Sequence, residues 1–230
     1  RRLAPCLPAL LAIGANSRFW HGVDSGYWCF RQRLLASNPT YGLPPYFESW
    51  DQFSAMVRAG IRSRTIESFR DLHWDIRPHG DLGTLEIRVL DAQIDAHRIA
   101  QIASLVRALV VVAADPKLPD SAFPARLPHW MELDNHFRAS KSGLDAQVIV
   151  SEDGDTAPMM QVVKQLFSLA RRECENLGDS ALLAALERTL TSHNGAELQR
   201  RAWQRQHSCK AVARYLVDSL QRPIGLRASA

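Results

Sequence analysis

The sequence predicts an α+β fold, and three observations predict it. Two runs with the period of a β-strand meet in "LHWDIRPHGDLGTLEIRVLDAQ", Leu72 to Gln93, around a turn-rich loop. Beyond Asp91 the apolar period changes from two to that of a helix. The C-terminal half then reads as almost wholly helical.

Taken in order, residues 3–15 predict a short, apolar, buried helix. "GANSRFWHGVDSGYWCFRQR" follows and mixes turn residues with large rings, which suits a loop packed against a site. "SNPTYGLPPY" is a proline-punctuated turn. In "SWDQFSAMVRAG", Ser49 caps a helix with Phe53, Met56 and Val57 at helical spacing and a stop at Gly60. The strand pair is next. His73, Asp75 and Arg77 share one face of the first run, and Leu72, Trp74 and Ile76 the other. In the second run Thr84, Glu86 and Arg88 alternate with Leu85, Ile87 and Val89, and "PHGDLG" makes the turn. Residues 94–113 predict a long helix with Ile99, Ile102, Leu105, Val106 and Leu109 on its packing stripe. "WMELDNHFRASKSGL" is a shorter helix stopped by Gly143, and "DAQVIVSEDGDTAP" a strand and turn. Helices over 159–177, 180–191 and 195–220 complete the chain. No internal repeat, low-complexity segment or domain boundary interrupts it, so residues 1–230 read as part of one domain.

With 230 residues, 46% of them hydrophobic, the chain can bury a full core. The net charge of +4 is modest, and its 24 arginines and four lysines are spread from end to end. That distribution describes a solvated surface and no nucleic-acid footprint. Cys6, Cys29, Cys174 and Cys209 are far apart, as reduced thiols in a cytoplasmic protein are. The stretch from Ile99 through "LVRALVVVAA" reads as too short and too polar to span a bilayer. "RRLAPCLPALLAIGA" has the flavour of a signal peptide, but Pro5 and Pro8 argue for a helix entered part-way through a longer protein.

If the two runs pair, Asp75, Arg77, Glu86, Arg88 and His73 project from one surface. On the residues alone two readings stand. Antiparallel sheets often meet water on one face, with acids and bases alternating across strands. Carboxylates interleaved with guanidinium groups also suit a metal–nucleotide site, where oxygen ligands hold Mg²⁺ and arginine forks neutralise phosphate charge. Other chemistry has less support. There is no phosphate-binding G-x-x-x-x-G-K-[ST] loop, no G-x-S-x-G elbow and no H-E-x-x-H pair for zinc. Cys29, beside Trp28, reads as a packed thiol.

"ANSRFWHGVDSGYWCFR", "YGLPPYFESWDQF", "LHWDIRPHGDLGTLEIRVLDAQ", "NHFRASKSGLDAQVI" and "HNGAELQRRAWQRQ" occur in an order that carries a resemblance over nearly the whole chain. It resembles the YbdK-type carboxylate–amine ligases, the glutamate–cysteine ligase type 2 family, in their C-terminal portion. The resemblance implies a fold related to the catalytic domain of glutamine synthetase, a curved antiparallel sheet backed by helices. ATP and Mg²⁺ or Mn²⁺ would sit on its concave face. It implies a reaction in which ATP phosphorylates the γ-carboxylate of glutamate and an amine, cysteine by family default, displaces the phosphate. The partners implied are small molecules, and related enzymes often form homodimers.

Carried over by motif, Glu86 looks like the metal ligand and Arg88 like the guanidinium facing the transferred phosphoryl group. Asp75 and Arg77 look like supporting or nucleotide-binding residues. Asn16, Ser17, Tyr27 and Arg31 look like the substrate pocket, with Arg31 at the α-carboxylate of glutamate. Two departures stand out. Arg18 follows "ANS" where the family usually has proline, and the family's G-V-E-x-E and H-V-H-V-G strands, which supply metal ligands, are not in this chain. A scaffold or binding member of the same fold that has lost the chemistry is the alternative, as is a ligase using another amine.

Overall fold

Helix α1 (Leu7–Gly14) is apolar on every side, and such a helix has no face to offer water. In the computed structural model of the chain, which describes residues 1–192 and 194–220, α1 runs through the centre of the main core. Around it lie α2 (Phe30–Leu35), α3 (Trp50–Arg62), α4 (Ala96–Ala114), α5 (His129–Ser142), α6 (Met159–Asn176), α7 (Ser180–Thr189), α8 (Gly195–Gln206) and α9 (Cys209–Leu220). The strands pair two by two. β1 (Phe19–Trp20) joins β2 (Val23–Asp24), and β3 (Tyr41–Gly42) joins β4 (His73–Trp74). β5 (Ile76–His79) joins β6 (Thr84–Ile87), and β7 (Gln147–Ile149) joins β8 (Thr156–Pro158). The fold is therefore α+β. Among the described residues the strands stay in separate pairs and make no continuous curved sheet.

The expected hairpin is present, but its first run changes partner midway. His73 and Trp74 pair in parallel with Tyr41 and Gly42, and Ile76–His79 pair antiparallel with Thr84–Ile87. Asp75 is the switch point: its N–H donates to the Gly42 carbonyl, and its carbonyl accepts from Arg88. The apolar face also divides. Leu72 and Trp74 form a satellite core with Ile66, onto which Phe53 and Met56 of α3 pack, while Ile76, Ile87 and Val89 join the main core. Leu85, expected to pack against helices, is 41% exposed and lines an apolar cavity with Trp50 and Trp74.

Three helices differ from expectation. The inward line of α4 runs through Arg98, Ile102, Leu105 and Leu109, so Ile99 is 50% exposed. The polar residues on that buried side mask the stripe. Ser104 is satisfied against Cys174, and Arg98 donates to the Thr189 carbonyl. With 19 residues α4 is long and apolar enough, by length and composition, to cross a membrane, contrary to the expectation. Here it packs against α6 and α7 as a core helix. The helix expected over 195–220 breaks at His207, which takes a left-handed φ of 45° without any glycine or proline to announce it. α2 begins inside the passage read as a loop and runs two residues past it; at six residues it is too short to show a period.

Candidate active site

In the hairpin register Arg77 stands directly opposite Glu86. Arg77 Nε donates to Glu86 Oε2 at 2.7 Å, and Arg88 Nη1 donates to Glu86 Oε1 at 2.8 Å. One carboxylate thus sits between two guanidinium groups, one on the facing strand and one two residues further on. Burial raises the carboxyl's pKa, but the hydrogen bonds from Arg77 and Arg88 outweigh it, so Glu86 is held below its ordinary value and stays ionised. Arg77 is buried and fixed from behind, its Nη1 donating to the Arg70 and Leu72 carbonyls, each at 2.6 Å. Glu86 and Arg88 are only about one-third exposed. His73, stacked against Tyr41, falls below its ordinary value through burial and then through the facing charges of Arg88 and Arg77.

Asp75 lies at the closed end of the same face. It is 2% exposed, its Oδ1 accepts from Gln32 Nε2 at 3.0 Å, and its Oδ2 faces His136 Nε2 at 2.8 Å. α2 and α5 therefore cover this end of the face, and the Glu86 end stays open. Asp75, read as a supporting or nucleotide-binding residue, turns its carboxylate inward.

Three of the four residues carried over as a substrate pocket, Asn16, Ser17 and Arg31, converge on Asp91, which the sequence did not single out. Its Oδ2 accepts from the Asn16 backbone N–H at 2.7 Å and from Ser17 Oγ at 2.8 Å, and its Oδ1 accepts from Arg31 Nε at 2.7 Å. Asn16 is further tied through its amide to the Ala92 carbonyl and to Gln199 of α8. Arg31 Nη2 reaches the carbonyls of Arg88, Val89 and Leu90, so this knot abuts the hairpin directly. Tyr27 is set apart from Asp91. Its ring packs on Phe30 and Phe137 with the Lys141 ammonium 4.2 Å from the centroid, and its hydroxyl bonds to none of the described residues. Arg18, the departure from the family pattern, is paired with Asp24 at 2.9 Å.

Within the late motif, whose His193 lies outside the described residues, "NGAELQ" now has a structural meaning. Asn194 caps α8 and ties it to the end of α1, its Nδ2 donating to the Ala12 carbonyl at 3.0 Å. Gly195 passes so close to Asn16 that a Cβ there would lie 2.1 Å from Asn16 Oδ1. Cys29 is confirmed as a packed thiol: burial pushes its pKa up to about 12. The cysteines are all free.

The residues suit phosphate better than a bare metal ion. Arg88 offers a half-open guanidinium, and Glu86 keeps a second lone pair on each oxygen for a cation. Among the described residues, however, no group of three or more His, Cys, Asp or Glu could hold a metal ion. Glu86 would be one ligand of a centre that these residues do not complete.

The sequence profile of glutamate-cysteine ligase family 2 matches residues 1–218. A protein of Trichormus variabilis named "Putative glutamate--cysteine ligase 2" is 37% identical over 229 residues, covering 98% of this chain and 59% of its own length. Proteins of the same name from Bdellovibrio bacteriovorus and Corynebacterium glutamicum are 30% and 33% identical over 218 residues, covering 95% and 93% of this chain. The chain spans less than three-fifths of these relatives' length. Because the match spans residues 1–218 of the 230, the chain belongs to glutamate-cysteine ligase family 2.

Proposed function

We propose that this chain is the C-terminal portion of a single catalytic domain that joins the γ-carboxylate of glutamate to an amine at the expense of ATP. The observation that carries the reading is Glu86, held ionised between Arg77 and Arg88 at the open end of the hairpin face. Family membership supports it, and the relatives' printed name makes cysteine the first amine to try. We place the hairpin within a larger curved antiparallel sheet of the complete protein, and the free thiols agree with a cytoplasmic setting.

The chemistry needs phosphate because a carboxylate oxygen does not leave on its own. In the reaction proposed, a γ-carboxylate oxygen attacks the terminal phosphorus of ATP and ADP departs. The amine nitrogen then attacks the acyl carbon, and inorganic phosphate leaves carrying that oxygen while the nitrogen loses a proton. A bound divalent cation would neutralise part of the phosphate charge, with Glu86 as one of its ligands. Arg88 would face the transferring phosphoryl group, where charge develops. Arg77 keeps Glu86 ionised and aimed. Asn16 and Ser17 shape the wall beside the substrate, and the free hydroxyl of Tyr27 is available to it.

A second reading has one observation in its favour. Since the described residues do not complete a metal centre, a binding module of the same fold that has lost the chemistry is consistent with them. The two separate on one experiment. The complete protein, given ATP, glutamate, cysteine and Mg²⁺, is expected to release ADP, with each omission abolishing release. No ADP release with any amine tried would favour the binding module.

A further inference from the structure

We propose that Arg31, Gln32 and Asp75 are positioning residues that fix the peptide of Arg88, and that Arg31 does this instead of binding a substrate carboxylate. The inference rests on the placement of Arg88 at the phosphoryl group proposed above. Residues 88–90 have left β6, so their carbonyls have no neighbouring strand to accept from. Two adjacent side chains of α2 take that strand's place. Arg31 Nη2 donates to the carbonyls of Arg88 at 3.0 Å, Val89 at 3.3 Å and Leu90 at 2.9 Å. Gln32 Nε2 donates to the Val89 carbonyl at 3.0 Å. On the other edge the Arg88 N–H donates to the Asp75 carbonyl at 2.7 Å. The peptide units that flank Arg88 are thus held from both sides.

The clamp is itself anchored. Gln32 bridges the Val89 carbonyl to Asp75 Oδ1, and His136 of α5 meets the other Asp75 oxygen. Gln32 is wholly buried, and Asp75 and His136 are 2% and 4% exposed. Arg31 Nε is engaged by Asp91, the carboxylate that also gathers Asn16 and Ser17. Clasping a carboxylate takes two guanidinium nitrogens side by side. With Nε and Nη2 engaged, Arg31 has only Nη1 left. A substrate carboxylate would have to displace Asp91 or the three carbonyls, leaving buried acceptors without donors.

The test uses the complete protein with Arg31→Lys and Gln32→Met. An ammonium keeps the charge but cannot span Asp91 and three carbonyls, and Met keeps the volume of Gln32 without its donors. A positioning role predicts that Arg31→Lys lowers kcat by about 10- to 100-fold with KM for glutamate changed by less than about threefold. It also predicts that in both variants the Arg88 amide exchanges with deuterium at least about tenfold faster in the absence of any substrate. A rise of about tenfold or more in KM for glutamate at unchanged kcat would make Arg31 a substrate ligand and overturn the proposal. So would Arg88 amide exchange that is unchanged in both variants. Exchange is read without ATP turnover, so a wild-type protein that releases no ADP would contradict the ligase reading alone.

Discussion

Glu86 accepts one guanidinium N–H on each oxygen, and this sets what its replacement should do. Gln at this position keeps one acceptor oxygen but turns an amide donor toward an arginine. The charge that bridges the two guanidinium groups and offsets their repulsion is lost with it. Glu86→Gln is expected to cut ADP release by about three orders of magnitude or more, while the far-ultraviolet circular dichroism stays that of the folded protein. Turnover equal to wild type would remove Glu86 from the reaction. His73 reports on the same face from another direction. Its folded pKa lies below the ordinary 6.5, so the unfolded chain takes up that proton more readily as pH falls. Its contribution to stability is therefore full above 6.5 and is lost as pH drops below that value. We expect the denaturant midpoint to fall over that window and the slope to flatten in His73→Gln; an unchanged slope would show that burial and the charges of Arg88 and Arg77 do not lower the His73 pKa.

At the scale of elements, the sequence made some structure legible and hid the rest for physical reasons. The hairpin was readable because strand alternation has a period of two and its loop carries turn residues, so Arg77 and Glu86 could be placed on one face. The start of α3 was readable because Ser49 is an N-cap, its side chain accepting from the Gln52 N–H at 3.1 Å. α2 was not readable, and it holds the site together: Arg31 and Gln32 replace a strand with two side chains. The two-residue parallel pairing of β3 with β4 left no pattern either, because its partners are far apart in sequence. Asp91 was visible as a residue, but a lone carboxylate after a strand does not announce that three donors will converge on it. The fit of α8 against the Asn16 loop makes a sharp prediction of its own. Gly195→Ala would drive a methyl into Asn16, so we expect a loss of about 1–3 kcal/mol by denaturant unfolding. Stability within about 0.5 kcal/mol of wild type would mean the loop yields freely.

For the whole molecule, the site has one wall built by this chain: the hairpin face, backed by α2 and α5 and bordered by the Asp91 knot. On the proposed reading its arginines would meet phosphate charge, and the Glu86 carboxylate between them would offer a cation one ligand. The relatives are longer by more than two-fifths of their own length, and the reaction belongs to the complete protein. The central claim is that the γ-carboxylate of glutamate is activated by phosphorylation before the amine arrives. Glutamate labelled with ¹⁸O in that carboxylate tests it most directly. Turnover by the complete protein with ATP, Mg²⁺ and cysteine should deliver one ¹⁸O atom into each inorganic phosphate released. Inorganic phosphate free of ¹⁸O, formed alongside the amide product, would contradict it.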